Sequence, residues 1–577
     1  MKRLISILLA AMPFMAMAQQ TVSVTVDSVG QLSKKIDDQT KFQIAELTVS
    51  GPINGADLKL IQEIVNRSKF KQKLGECLVS SVDLSGAIIY EGKEGMKTKS
   101  NELPKGLFSG AKGLTKAYLP STITAISKNC FYDCEKLVTV PIPDGVTEIE
   151  DGAFKGCEAL SAITLPSGLK TIGSEAFEGC KALTAIEIPA SVTKMGSQTF
   201  NGCKALQTAN ILANISEIPN TAFFECESLQ KVSLPNGLKS IGTNAFAKCK
   251  VLRSIALPES ANEIGNGAFE DCESLESIQM TSVSKVKSNA FEDCKSLKSI
   301  AFKNLSELGN DAFKECKSLT EAQLPGDFKT ISNEAFAGCA ALKTITIPET
   351  VTTIESSAFK GCQGLEVFPT PKDLSKVGDH AFEGCTTLRE IILPGMLKKL
   401  GSSAFQDCAS LDSVVIGGII TELESDVFRS CRSLRSVTLP STLKKIGKHA
   451  FQECSALQEI TLPIALQLIN DEAFEKCISL RSITIPVGVT EIGSDAFYEC
   501  TMLASVELST ALKKIGGSAF AKCPSLRVVK CNSPAAPSIS KSTFKDSPCI
   551  IHVPKGCGII YRSHKDWKKV TNLRETM

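Results

Sequence analysis

Histidine, tyrosine and tryptophan are scarce in this chain of 577 residues, which has four, five and one of them. There is no GxSxG nucleophile elbow, HExxH pair or Walker phosphate loop. Gly265-Asn266-Gly267 and Gly556-Cys557-Gly558 fall short of the GxGxxG pattern. His380 and His449 occupy the same column of a repeat three turns apart, too far to share a metal whose bonds are about 2 Å long. His552 and His564 lie near the C-terminus and read as solvated. The 23 cysteines include no CxxC pair, so the usual tetrathiolate zinc spacing is missing. The expectation is a protein that is not an enzyme and uses neither cofactor nor metal. Two further shortages narrow the partners. A net charge of +2 gives no global field for nucleic acid or an anionic membrane. No run of eighteen apolar residues occurs, so no transmembrane segment is expected in the mature chain.

The N-terminus reads as an export signal. Lys2 and Arg3 precede an apolar stretch from Leu4 to Met15, and Ala16-Met17-Ala18 supplies a small-x-small cleavage site. Residues 1–18 are expected to be removed, and the product to be exported to the cell surface or the medium, with the periplasm as the alternative. No cysteine precedes Cys77, so the lipid-anchored type of signal is absent.

Export makes the cysteines the first thing to explain. Eighteen of them, from Cys134 to Cys523, recur every 23 residues, with two steps of 22 at Cys294 and Cys316. Each has a phenylalanine three residues before it and a leucine three residues after it, from Phe131 and Leu137 to Phe520 and Leu526. A unit of this period is one turn of a solenoid. Equivalent side chains in stacked turns point in parallel and do not converge as a disulfide requires. The column therefore reads as reduced, buried thiols acting as small hydrophobes, against sequential cross-links or metal sites. Outside it, Cys77, Cys130, Cys531, Cys549 and Cys557 have an open disulfide state.

Within one turn, Leu160, Ile163 and Leu165 have the spacing of a short strand, in which Ile163 and Leu165 alternate with Ala162 and Thr164; Pro166 stops it. Leu169 and Ile172 form a second short apolar pair, and Gly173 permits the next bend. Ser174 to Gly179 suits one helical or 3₁₀ turn with Ala176 and Phe177 inward. One such turn cannot offset the entropy of ordering its backbone, so stability must come from stacking. The two short steps fall at Met280–Val283 and Phe302–Leu305, which lack the turn proline. Before the array, the pairs Leu47/Val49, Val82/Leu84 and Ala117/Leu119 step by 35 residues, as two longer turns of the same spiral would. Asn54 to Asn66 has helical spacing on Leu58, Ile61, Ile64 and Val65. Residues 19–103 are thus expected to form an N-terminal cap, 104–531 about nineteen repeats, and 532–577 a C-terminal cap.

The motif LxxIxLPxxLxxIGxxAFxxCxxL, seen from Leu480 through Cys500 to Leu503, resembles the BspA-like, or treponemal-type, leucine-rich repeat family. The stretches Ser50–Gly55 and Tyr561–Leu573 are similar to caps of family members. The resemblance implies an α/β repeat solenoid: a right-handed superhelix with a parallel β-sheet on its concave face, short strands and helical or 3₁₀ turns elsewhere, capped at both ends. It also implies a noncatalytic secreted or surface protein that recognises proteins, including host matrix or plasma proteins or bacterial surface proteins, as an adhesin. The alternative is a structural envelope protein or a glycan-binding module without a host protein partner. No sorting motif or lipid anchor accompanies it.

A binding face belongs where the repeat leaves the sequence free. Strand positions expected to face solvent are Tyr118, Thr164, Glu187, Ser233, Gln279, Gln323, Thr346, Thr438, Thr461, Thr484 and Glu507, mostly small and polar. The same pattern also suits plain solvation of a sheet. Lysine pairs Lys398/Lys399, Lys444/Lys445 and Lys513/Lys514 recur after the strands and would favour an acidic partner or simply keep a face wet.

Overall fold

Alternation along Ala185–Ile188 shows how one turn is built. Ile186 and Ile188 are buried while Ala185 and Glu187 face out, as a strand with one covered side requires. The next turn supplies the parallel strand Thr208–Ile211 and the one after it Lys231–Ser233, each paired 23 residues on. Pro189 ends the strand because it has no N–H to continue the ladder. A second, narrower ladder follows, in which Lys194–Met195 pairs with Thr171–Ile172. The structure is a computed structural model that describes residues 19–66 and 79–576. The export signal expected at residues 1–18 and Cys77 lie outside these residues. The chain divides into two compact units, Met1–Pro235 and Asn236–Met577. Each is a parallel β-solenoid of stacked coils with few helices.

The segment expected to be a helical or 3₁₀ turn is neither. Glu175 and Gly179 have φ of 58° and 71°, and the residues five before and one before each ladder cysteine repeat this left-handed geometry. A left-handed residue every fourth position stops helix propagation. What forms instead is a run of linked turns, with Glu178 N–H donating to the Glu175 carbonyl (3.1 Å) and Cys180 N–H to the Phe177 carbonyl (3.2 Å). The amides of Glu175, Phe177 and Gly179 reach the next coil, as when Phe177 N–H donates to the Thr199 carbonyl at 2.8 Å. Gly173 also has a different role from the expected bend: a Cβ there would lie 2.4 Å from the Asp151 nitrogen, so glycine lets two backbones approach.

Two columns fill the interior. In the first unit the phenylalanines from Phe108 to Phe223 stack with centroids 5.0–5.4 Å apart. In the second the stack runs from Phe246 to Phe544, as in Phe291–Phe313 at 5.1 Å and Phe520–Phe544 at 5.7 Å. Beside them each thiol aims at a carbonyl of the preceding coil and not at a neighbouring sulfur: Cys157 Sγ–H donates to the Phe131 carbonyl at 3.2 Å, and Cys431 to that of Phe405 at 3.1 Å. Cysteine thus fills a small apolar site and satisfies a buried acceptor. All cysteines among the described residues are free. Burial pushes these thiols up, to about 12 for Cys203 and Cys385. The short steps at Cys294 and Cys316 keep the ladder, with Glu263, Lys285 and Glu307 in register, and Phe302 packs edge-on against Phe313.

In the first unit Leu47 pairs with Val82 and Val82 with Ala117, following the 35-residue step. The helix expected after Asn54 is present as Gly55–Val65. Its capping box has Ala56 N–H donating to Asn54 Oδ1 and Asn54 N–H to Asp57 Oδ2, both at 3.0 Å. Gln20–Thr25 adds an outer strand to Ile44–Ile53. At the other end of the chain, strand pairing outlasts the sequence repeat. Val528–Cys531, Ile550–Val553 and Leu573–Glu575 continue in parallel. Tyr561 Oη donates to the Ser533 carbonyl at 2.7 Å, and Trp567 Nε1 to that of Pro537 at 2.6 Å.

The buried ladder has a direct consequence in solution. Among the described cysteines only Cys557 is not buried. In a Cys77→Ala background, a thiol-specific chromogen is expected to react quickly with one thiol of the native protein and with 22 after unfolding in guanidinium. Fast reaction of several thiols in the native state would contradict the packing.

Candidate functional site

The outward column of the broad strands repeats from coil to coil in each unit. In the first unit Tyr118 lies opposite Asp83, and Glu187, Asn210 and Ser233 follow one another across three strands. Asn210 Nδ2 donates to Glu187 Oε2 at 2.9 Å. In the second unit Gln323 faces Thr346, Val415 faces Thr438, and Thr484 and Glu507 continue into Lys530 and His552. Ten of the eleven expected residues are exposed; Glu507 is half-buried and accepts from Asn532 Nδ2 at 3.1 Å.

Thr164 and Thr461 depart from the expectation in one respect, because neither is in a strand. Their coils leave the ladder, and a hollow opens at each. One, of about 650 Å³, is lined by Val138, Val140, Ile142 and Thr164. The other, of about 700 Å³, brings Thr461 and Thr484 together with Arg435, Glu459, Ile464 and Val487. Hydroxyls and apolar side chains share both hollows, and Arg435 and Glu459 add one charge of each sign to the second.

An apolar patch in the second unit escaped the sequence reading. Ile392 and Val415 are cross-strand partners that both face out, 61% and 39% exposed. Four residues further along the same two coils, Met396 and Ile419 are 56% and 60% exposed. Ile464 and Val487, at 78% and 59%, bring apolar surface to the neighbouring hollow. Comparing outward columns for β-branched residues would have found the Ile392–Val415 pair, since their spacing is the repeat itself.

Charges on this face are largely paired from coil to coil. Arg389 lies 3.8 Å from Glu366 and Arg435 3.5 Å from Asp412; Glu276 meets both Arg253 and Lys298. Such exposed pairs contribute about 0–1 kcal/mol each, and their consequence is a nearly neutral surface. The lysine pairs are elsewhere. Lys399, Lys445 and Lys514 sit on the narrow ladder, in other sheets than the outward column. Lys445 and Lys514 face Glu422 and Glu491 at 3.5 and 2.5 Å, so two of the three pairs are partly neutralised.

The histidines are spread out. His380 Nδ1 is 2.6 Å from Glu383 Oε2, while His449 lies between Asp426 and Glu472 at 3.2 and 3.4 Å. Among the described residues no group of three or more His, Cys, Asp or Glu side chains is placed to hold a metal ion, and no helix is long and apolar enough to cross a membrane.

A family model described as a BspA type leucine rich repeat region of six copies matches residues 101–230, 216–341, 306–435 and 421–551. No curated protein matches. Similar solved structures include a leucine-rich repeat protein from Bacteroides ovatus, 24% identical over 88% of this chain and 94% of that one, with a TM-score of 0.32. A leucine rich cell surface protein from Faecalibacterium prausnitzii is 25% identical over 63% and 82%, with a TM-score of 0.26. A leucine rich repeat protein from T. pallidum is 26% identical over 32% and 76%, also at 0.26.

Proposed function

From the premise that this chain belongs to the BspA-type leucine-rich repeat family, we propose that it is a noncatalytic, exported recognition protein that binds a protein partner through its outward strand column, as an adhesin at the cell surface does. In this reading the coils wind right-handedly and turn the broad sheets to the concave side. The export signal in residues 1–18 and the caps at 19–103 and 532–577 belong to the same proposal.

The observation that carries it is the patch of Ile392, Val415, Met396 and Ile419. These side chains leave apolar surface in water on a face whose charges cancel, and a protein partner gains most from covering such a centre with a polar rim around it. Glu187, Ser233, Gln279, Gln323 and Thr438 supply small polar contacts along the sheets of the two units.

Binding of the chain to immobilised matrix and plasma proteins, beside a glycan array, tests the reading. Ile392→Asp with Val415→Asp is expected to weaken protein binding at least about tenfold, because a charge desolvated at the centre of an interface costs well over 1.4 kcal/mol. The guanidinium midpoint should fall only slightly, because both side chains are exposed although two aspartates set opposite each other repel, and an unchanged thiol titration shows that the variant folds. A response confined to glycans would overturn the proposal, as would survival of the protein when intact cells are shaved with protease.

A further inference from the structure

The C-terminal segment carries a charge the rest of the chain does not share. Residues 532–577 hold eight lysines and arginines against three acidic residues, a net of +5 in a protein whose total is +2. Five of the lysines, Lys541, Lys545, Lys565, Lys568 and Lys569, line one cleft of about 560 Å³ between the last coil and the chain that closes it. Asp566 is the single acid on the lining, and its carboxylate is 3.8 Å from His564 Nδ1.

Several lysines in the array are paired across coils. Lys522 lies 3.0 Å from Glu499, Lys448 3.4 Å from Asp471 and Lys295 3.1 Å from Glu273, each reaching a neighbouring coil. Among the described residues, none of the five cleft lysines is within ion-pair distance of a carboxylate. Five like charges around one hollow raise its potential, and an anion entering it relieves that repulsion.

The lining also says which anions fit. The one ring on the lining, Phe544, is half-buried and held between Phe520 at 5.7 Å and the buried Trp567 at 6.4 Å, so little ring surface is offered for a base to stack on, which disfavours nucleic acid. Lysine ammonium groups act as point charges without the fork of arginine, and suit several spread anionic groups better than one oriented phosphate. Ser540 and Thr571 are exposed on the lining and give hydroxyls that can bond to sugar hydroxyls.

We infer that the cleft closed by the C-terminal segment is a second binding site, separate from the strand column, for an anionic saccharide chain carrying sulfate or phosphate esters. It would let one molecule hold a polyanionic coat while its strand face engages a protein.

The test uses the full chain with five probes: heparin as a sulfate ester source, a phosphorylated mannan as a phosphate ester source, neutral dextran, and vesicles of phosphatidylglycerol or of phosphatidylcholine. At about 50 mM salt heparin or the phosphomannan is expected to bind, and at about 500 mM the complex should dissociate, because screening shortens the range of exposed charges. Changing all five cleft lysines to glutamine should weaken that binding at least about tenfold, which corresponds to about 1.4 kcal/mol. Lys514→Gln with Lys522→Gln, which removes two paired lysines nearby, should change it by less than about twofold. An unchanged thiol titration shows that both variants fold. Equal binding of dextran, equal binding by the five-lysine variant, or binding of phosphatidylglycerol vesicles without either charged saccharide would overturn the assignment. Failure of the Ile392/Val415 test leaves this result untouched, so the two sites are judged separately.

Discussion

Raising the pH from 8 to 10 is expected to unfold the second unit. Twelve ladder thiols from Cys272 to Cys523 are raised, chiefly by burial. An unfolded cysteine ionises near pH 8.5. Because the folded pKa lies above the unfolded one, the stabilisation is complete below about pH 8.5 and is lost as pH rises toward the folded value, about 12 for Cys385 and Cys523. In that window the unfolded chain binds fewer protons, so each thiol removes about 1.4 kcal/mol of stability per pH unit. A coil of about 23 residues holds about 1–3 kcal/mol of stability, and its own thiol removes about 2 kcal/mol between pH 8 and 10, so every coil is brought close to its limit whether coils open singly or together. Guanidinium midpoints followed by circular dichroism at pH 8, 9 and 10 should therefore fall steeply, with residual structure lost near pH 10. A triple variant with Cys385, Cys408 and Cys431 changed to alanine should start less stable and lose stability more gradually with pH. A midpoint that stays level from pH 8 to 10 would show that the thiols are not held in the dry interior described.

The other large effect belongs to the ring stack. Phe313 is fully buried between Phe291 at 5.1 Å and Phe336 at 5.5 Å, with the edge of Phe302 at 6.4 Å. Phe313→Ala removes contacts on three sides and leaves a cavity that a stack of identical coils has little freedom to close. The expected loss is about 3–5 kcal/mol. In a solenoid each coil touches only its neighbours, so the damage should be local. Amide hydrogen exchange is expected to accelerate strongly around residues 291–336 and little around 451–520. Equal acceleration along the whole second unit would mean that it opens as a single cooperative body.

How much of this could be read beforehand depended on distance along the chain. The columns of Phe, Cys and Leu were legible because every copy repeats the same choice, and the strand and its Pro stop followed from period-two alternation. The helical or 3₁₀ turn was misread. Ser174–Gly179 has residues that tolerate a helix, and only the amides reaching the next coil, such as Phe177 to Thr199, hold Glu175 and Gly179 left-handed. Which strand positions point outward was legible too: ten of the eleven residues named are exposed. The apolar Ile392–Val415 pair was not legible in any single repeat, because the patch exists only across adjacent coils.

The sequence alone determined that a coil of about 23 residues is the unit, that its apolar columns face inward, and that no coil can stand without neighbours, since these follow from composition at fixed spacing. Tertiary structure alone decided where coils leave the ladder at Thr164 and Thr461, which carbonyl each thiol bonds, and how five lysines distant from any repeat column meet around one cleft. Those outcomes rest on packing between segments some 23 or more residues apart, where the geometry of the neighbour and not the local residue sets the lowest free energy.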